Sequence, residues 1–226
     1  DSTWSPTGET AAAEAMWGIR HTWDLLKNYF QRDSLNDDGM ALIARVHARK
    51  SDANVPYGDA FWNGVAAHFG DGTTDAATSM TGLKIIGHEY GHGLWGYLTE
   101  ADTNSGETGG LNEGHSDIMG SLVDFFGRGT GGANLPDWPN PSWTWAWFGR
   151  ALNPLAAGGK AYYEPNMGDF PVHDQGAAYG HAFVFLSIGS STDPASPLYS
   201  IYFPNGMPGI GIRKAADIWY LATGSY

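Results

Sequence analysis

The sequence predicts an α+β protein of two lobes, with strands and helices mixed in the first lobe and helices alone in the second. Strand-like segments at 41–49 and 61–69 precede a helical pattern over 80–95. A polar, Gly-rich connection follows at 99–110, and we interpret it as the passage between the lobes. The apolar spacing that comes after it is helical, over 111–126, 175–188 and 212–221.

Near the N-terminus, apolar residues recur at steps of three and four, which predicts an amphipathic helix. They are Met16, Ile19, Trp23, Leu26 and Phe30. We place an N-terminal α/β lobe, which includes the helix over 80–95, at 1–105, and a mainly helical lobe at 106–226.

Composition excludes several classes of function. The chain has 226 residues, no Cys and a formal net charge of −12, which disfavours nucleic-acid partners because these require a basic surface. No apolar run approaches the ~20 residues of a membrane span. The first residues, from Asp1 to Trp4, do not resemble a signal peptide.

The segment His88-Glu89-Tyr90-Gly91-His92 indicates a metal site. An H-E-x-x-H spacing puts two imidazoles one helical turn apart, with a carboxylate beside them suited to act as a base. Such a pentapeptide also occurs by chance in helices that bind nothing. However, Glu113 and, four residues later, Asp117 follow on one helix face and offer a third ligand. The spacing therefore predicts a zinc site with an open position for water.

Two competing interpretations of this region fail. The metzincin pattern requires Gly and His where this chain has Trp95 and Leu98. His115 lies only two residues from Glu113, so on a helix it points elsewhere and is not expected to bind the metal.

These motifs, with others along the chain, resemble the thermolysin family of secreted zinc endopeptidases. The segment from Asp59 to Gly64 is similar to its N-A-F-W-N-G strand, Gly110 to Gly120 to its second metal motif, and Val172-His173 to its V-H pair. The similarity runs from about residue 11 to 220. It implies a two-lobed α+β thermolysin-like fold with a reduced N-terminal β region and an active site in the cleft between the lobes. The chain is either a compact member or a processed or truncated form.

The resemblance also implies roles for individual residues. It makes His88, His92 and Glu113 the Zn²⁺ ligands, Glu89 the base that activates water, and His173 the group that stabilises the oxyanion. By the same resemblance, Asp117 orients His88 and Asn112 orients His92. Arg150 is implied to contact the substrate carbonyl.

Several positions depart from the family pattern. Asp169 is the nearest substitute for the aspartate that supports the oxyanion histidine. Asn104 stands where the family has a tyrosine donor, and Asp59 replaces an asparagine that meets the substrate backbone. A carboxylate cannot donate as an amide does. Ala60 and Trp62 belong to the same substrate-binding strand.

A family-type double calcium site is predicted to be absent. The position of a calcium-binding aspartate, four residues before the first zinc histidine, is Lys84. Asp124 and Asp137 remain, but Pro139 and Ser142 stand at other acidic positions. Calcium needs six to eight oxygen ligands, so we expect Lys84 to pair with a carboxylate instead of the ion.

Together these features predict a secreted zinc endopeptidase that acts on protein or peptide substrates. The family also allows for an inhibitory propeptide before maturation. The alternative is a catalytically weak or inactive binding protein that retains zinc on the same fold, suggested by Asn104 and Asp59.

Overall fold

The computed structural model describes residues 6–50, 55–72, 79–99, 101, 105–127, 151, 153–155 and 158–225. Within these ranges, five helices account for most of the regular structure. They are α1 (Pro6–Asp24, continued by a π-helical turn at Leu25–Tyr29), α2 (Leu83–Thr99), α3 (Gly106–Gly127), α4 (Val172–Ile188) and α5 (Ile212–Thr223). The strands are short: β1 (Ala44–Arg45), β2 (Ala60–Trp62), β3 (Ala67–Phe69), β4 (Gly189–Ser190) and β5 (Met207–Pro208). None of the described helices is long and apolar enough to cross a membrane.

The chain divides into two compact units. The first contains Asp1–Tyr97 and Met119–Gly131, and the second contains Leu98–Ile118 and Gly132–Tyr226. Helix α3 therefore begins in the second unit and ends in the first.

Helix α1 buries a face of small residues, and the predicted apolar face is correct only in part, because Leu26 in the π-helical turn is buried but Met16 is exposed. Ala11 and Ala15 are buried, whereas Met16 is 66% exposed. A Cβ on Gly18 would collide with the side chain of Ile86 in α2. Close packing of this kind needs small side chains on one of the two helices, so α1 turns Ala11, Ala15 and Gly18 inward.

The first unit contains a three-stranded sheet with the order β1-β3-β2. Strand β1 is parallel to β3, and β2 is antiparallel to it. The segment 61–69, expected as one strand, is thus parts of two strands joined by a turn. In that turn Asn63 accepts hydrogen bonds from the backbone N–H groups of Val65 and Ala66, and Gly64 has φ +92°. The correction follows from this turn, which reverses the chain after Trp62.

Helices α2 and α3 cross at two glycines. A Cβ on Gly87 would lie 2.8 Å from the Cα of Gly120, and one on Gly120 would collide with the carbonyl oxygen of Lys84. Beside the crossing, the Lys84 Nζ lies 3.9 Å from the Asp124 Oδ2, and these side chains are only 9% and 7% exposed. Helix α2 is therefore fixed against the C-terminal half of α3 at backbone contact distance.

In the second unit, α4 packs closely against the N-terminal half of α3. A Cβ on Gly114 would lie 2.7 Å from the Cβ of Tyr179, and one on Gly176 would lie 2.9 Å from the Cβ of Glu113. The antiparallel pair of β4 and β5 follows α4, and α5 contacts α4 through the rings of Phe183 and Trp219. This unit thus holds the part of α3 that bears Glu113.

Candidate metal centre

Helix α2 brings two imidazoles together, as the spacing predicts. The Nε2 atoms of His88 and His92 lie 3.1 Å apart, and the two rings are nearly perpendicular. Both side chains keep partial exposure. The i, i+4 relation on a helix is what makes the two ring edges converge.

Glu113 joins this pair from α3. One ligand atom from each of His88, His92 and Glu113 lies within 4.8 Å of the others, the only such metal-capable group among the described residues. A tetrahedral zinc ion with ligands at about 2.0–2.1 Å requires neighbouring ligand atoms about 3.3–3.4 Å apart. The 3.1 Å separation of the two Nε2 atoms is close to that value. Two nitrogens and one carboxylate oxygen therefore fit zinc, with a fourth position left for another group.

The electrostatics of the site favour neutral histidine. Burial lowers the pKa of His88 to about 4, and the carboxylate of Asp59 acts in the opposite direction with the smaller effect. A histidine must be deprotonated to bind a metal. At neutral pH, His88 is thus already in its binding form.

Glu89 is separate from the ligand cluster. It is 5% exposed, on α2 between the two histidines in sequence, and it does not belong to the three-residue group. Its charge is felt by Tyr57, whose pKa is raised by burial first and then by Asp59 and Glu89. A buried carboxylate next to a metal site is well placed to exchange protons with water.

His173 lies in the first turn of α4, with its Nε2 3.3 Å from the Glu113 Oε2. Its side chain is 40% exposed. The first turn of α4 can reach Glu113 because Gly176, which lacks a side chain, allows the two helices to approach closely there. His173 therefore lies beside Glu113, one member of the three-residue group.

The other predicted residues are more scattered. Asn112 is buried and Asp117 partly exposed, both on α3. Asp59 is exposed and accepts a hydrogen bond from the backbone N–H of Ala60, whereas Asp169 is an exposed residue of a 3₁₀ turn. Trp62 contacts the ring of Tyr90 edge-on, 5.9 Å between centroids. Asn104 and Arg150, together with Asp137, Pro139 and Ser142, lie outside the described residues.

Two features near the site were not anticipated. Tyr57 lies within electrostatic reach of Glu89, and no pattern in the sequence indicates this. His115 accepts a hydrogen bond at Nδ1 from the indole Nε1 of Trp219, at 3.3 Å. This contact joins residues 104 positions apart, and no local pattern in the sequence reveals it.

Comparison with known proteins identifies the family. Residues 1–96 match the model of the thermolysin metallopeptidase catalytic domain, and residues 103–226 match the thermolysin metallopeptidase alpha-helical domain. The chain belongs to the thermolysin family of metallopeptidases. The prediction of a thermolysin-like α+β fold is confirmed by these matches and by the structural comparison below.

Among the relatives, the transglutaminase-activating metalloprotease of Streptomyces mobaraensis is 31% identical over 233 residues, which cover 94% of this chain and 28% of that protein. A bacillolysin of Bacillus cereus is 36% identical over 142 residues, covering 61% of this chain and 23% of that protein. This thermolysin-family chain thus spans roughly a quarter of the length of these two relatives.

A solved structure, the precursor of protealysin, a metalloproteinase from Serratia proteamaculans, superimposes with a TM-score of 0.66 at 26% sequence identity. The match covers 98% of this chain and 68% of that one. The thermolysin-family fold therefore extends over nearly the whole chain.

Proposed function

We propose that this protein is a zinc-dependent endopeptidase in which His88, His92 and Glu113 hold the ion. The observation that carries the proposal is the convergence of these three ligand atoms, with the buried Glu89 beside them in α2. When bound, zinc supplies a positive charge that polarises a peptide carbonyl. Membership of a metallopeptidase family supports this choice of reaction.

The chain's own groups have distinct tasks in this reaction. Glu89, as a carboxylate, accepts a proton from the water that adds to the peptide carbonyl carbon. It then returns a proton to the amine that leaves when the C–N bond breaks. His173 donates a hydrogen bond from Nε2 toward the carbonyl oxygen, on which negative charge develops. Its half-exposed side chain, next to Glu113, allows a substrate to approach it.

We assign supporting roles to the remaining predicted residues. Asn112 and Asp117 orient the metal histidines from α3. Arg150, Asn104, Asp59, Ala60 and Trp62 contact the substrate, and Asp169 supports His173. The partial exposure of Ala60 and Trp62 and the exposure of Asp59 are compatible with substrate contact along β2.

We also propose that Lys84 replaces the ions of a family-type double calcium site. The support is the buried approach of its ammonium to Asp124, at the crossing where a bound cation would otherwise neutralise that carboxylate. Four further proposals rest on the family resemblance. We propose that the protein is secreted, that it acts on protein or peptide substrates, that an inhibitory propeptide precedes maturation, and that its lobes lie at 1–105 and 106–226.

The experiment that tests the function combines metal analysis with hydrolysis of an unfolded protein substrate. We expect about one zinc per chain, and hydrolysis that a chelator abolishes and added zinc restores. Glu89→Gln should keep zinc but lose activity by ~10²–10⁴-fold, because an amide cannot accept the proton. His173→Ala should lose less, since the ligands and Glu89 remain. Glu107→Gln, an exposed glutamate elsewhere on α3, controls for the loss of one carboxylate.

Two outcomes would contradict the proposal. Normal turnover by Glu89→Gln would remove its role as base, and zinc well below half an equivalent in undepleted protein would remove the metal site. Stoichiometric zinc without any hydrolysis by the wild-type protein would favour the alternative, a zinc-containing binding protein.

A further inference from the structure

The buried side of α3, opposite the metal ligands, carries an unusual polar contact. His115 is 0% exposed, and its Nδ1 lies 3.3 Å from the indole Nε1 of Trp219 on α5. The Thr223 Oγ1 lies 3.5 Å from the same Nδ1 and donates a hydrogen bond to the carbonyl oxygen of Trp219. A buried imidazole is thus bonded to one residue of α5, Trp219, with Thr223 beside it.

The chemistry of the pair fixes its hydrogen-bond direction. An indole nitrogen can only donate, so the Nδ1 of His115 must accept and the imidazole carries its proton on Nε2. Trp219 itself is fixed from another side by the ring of Phe183, with centroids 6.1 Å apart. The contact therefore links α3 to α5, which is itself packed on α4.

His115 lies two positions after Glu113, which puts the two residues about 200° apart around α3. On the Glu113 side, α4 approaches at Gly176 and Tyr179. On the other side, α5 holds His115. This stretch of α3 is thus fixed from both sides, so its rotation about the helix axis, and with it the direction of Glu113, is determined by both contacts.

We propose that Trp219 and His115 are positioning residues of the metal centre, which hold α3 in the rotation that directs Glu113 to His88 and His92. The inference rests on the proposed metal site but requires no peptidase activity. Groups that orient metal ligands from outside typically change metal affinity ~10–100-fold when removed.

The test uses Trp219→Phe, which keeps an aromatic ring but removes the N–H donor together with part of the indole. We expect zinc transfer from the protein to an excess of chelator to become at least about tenfold faster. The visible absorption spectrum of the cobalt-substituted protein should shift, because the ligand directions change. Trp17→Phe is the matched control, since Trp17 is an exposed indole that also contacts a histidine, His21. It should leave both readouts unchanged.

Two substitutions of His115 keep the test decisive if Trp219→Phe folds poorly. His115→Asn retains an oxygen or nitrogen near the position of Nδ1 and should keep zinc release near that of the wild type. His115→Leu fills similar space without an acceptor and should release zinc as fast as the Trp219 variant.

The proposal would be overturned if Trp219→Phe and His115→Leu both matched the wild type in zinc release and in the cobalt spectrum. This holds even if their thermal stability falls. A wild-type protein that binds zinc tightly without hydrolysing peptides would refute the peptidase but leave this inference standing. A wild-type protein that binds no zinc would overturn both.

Discussion

Replacing Lys84 by Met tests the buried pair between α2 and α3. At 3.9 Å, two unit charges attract by ~4 kcal/mol for an effective dielectric constant of ~20. Removing one partner of a buried pair costs ~3–5 kcal/mol, because the other charge stays buried without it. For a chain of this size, ~1 kcal/mol corresponds to ~2–4 °C in Tm. Lys84→Met should therefore lower the Tm by about 10 °C.

The assay is thermal unfolding followed by circular dichroism, with zinc kept saturating. Lys27→Met is the matched control, since Lys27 pairs at 3.0 Å with Asp33 but both side chains are over 40% exposed; it should cost ~1 kcal/mol or less. The double variant Lys84→Met/Asp124→Leu should recover much of the loss, because no charge remains buried. If Lys84→Met behaved like the control, the pair would have no energetic significance.

The same assay examines the proposed replacement of calcium. An ion that binds only the folded state must raise the Tm by mass action. Calcium at millimolar concentration should leave the Tm of the wild-type protein unchanged. A large rise with calcium that Asp124→Ala abolishes would show that a calcium site survives and that Lys84 does not replace it.

Three further predictions concern the same helices and the ligand histidine. Gly120→Ala should destabilise the protein by ~1–3 kcal/mol and weaken zinc binding, because the added Cβ collides with the carbonyl oxygen of Lys84. Thermal unfolding and a chelator titration measure the two effects. Gly96→Ala is the control, since no atom of the described residues lies within 4 Å of its added Cβ, and it should be neutral or stabilising. Tyr90→Phe should leave stability unchanged or raise it by ~1 kcal/mol in urea unfolding, because the buried Tyr90 hydroxyl has no hydrogen-bond partner among the described residues. A loss above about 2 kcal/mol would show that the hydroxyl is satisfied. The pKa of His88 falls from 6.5 to about 4 on folding, so the unfolded chain takes up this proton first. The zinc-free protein should therefore keep its stability above about pH 6.5 and lose it as the pH falls toward 4; a His88→Gln variant should show a shallower loss in unfolding measured across that range.

The convergence of His88 and His92 follows from local information. A helix places residues i and i+4 on one face whatever surrounds it, so their approach requires no knowledge of the fold. The approach of Glu113 to this pair requires a second helix, and the sequence nominates Glu113 because its own motif follows shortly. The contact between His115 and Trp219 has no such local sign, since the two residues meet only after α3 and α5 have packed.

The buried face of α1 shows where hydrophobic periodicity is incomplete. Met16 has a much larger apolar side chain than Ala15 or Gly18, yet the space available against Ile86 favours the small residues on the inward face. The turn after β2 was missed for a different reason. Asn63-Gly64 is a strong hairpin signal, but the apolar residues on both sides of it were interpreted as one strand.

The passage of α3 through both units has a consequence for modularity. A fragment that ends before α3 would expose the Gly87 face of α2 and separate Lys84 from Asp124. The complementary fragment would contain α3, but the C-terminal half of that helix would lack its contacts with α2. No single cut in the chain yields the two units intact, because the first is discontinuous in sequence. A single cut before or within α3 should therefore destabilise the first unit, even though each half of the chain matches a domain model of its own.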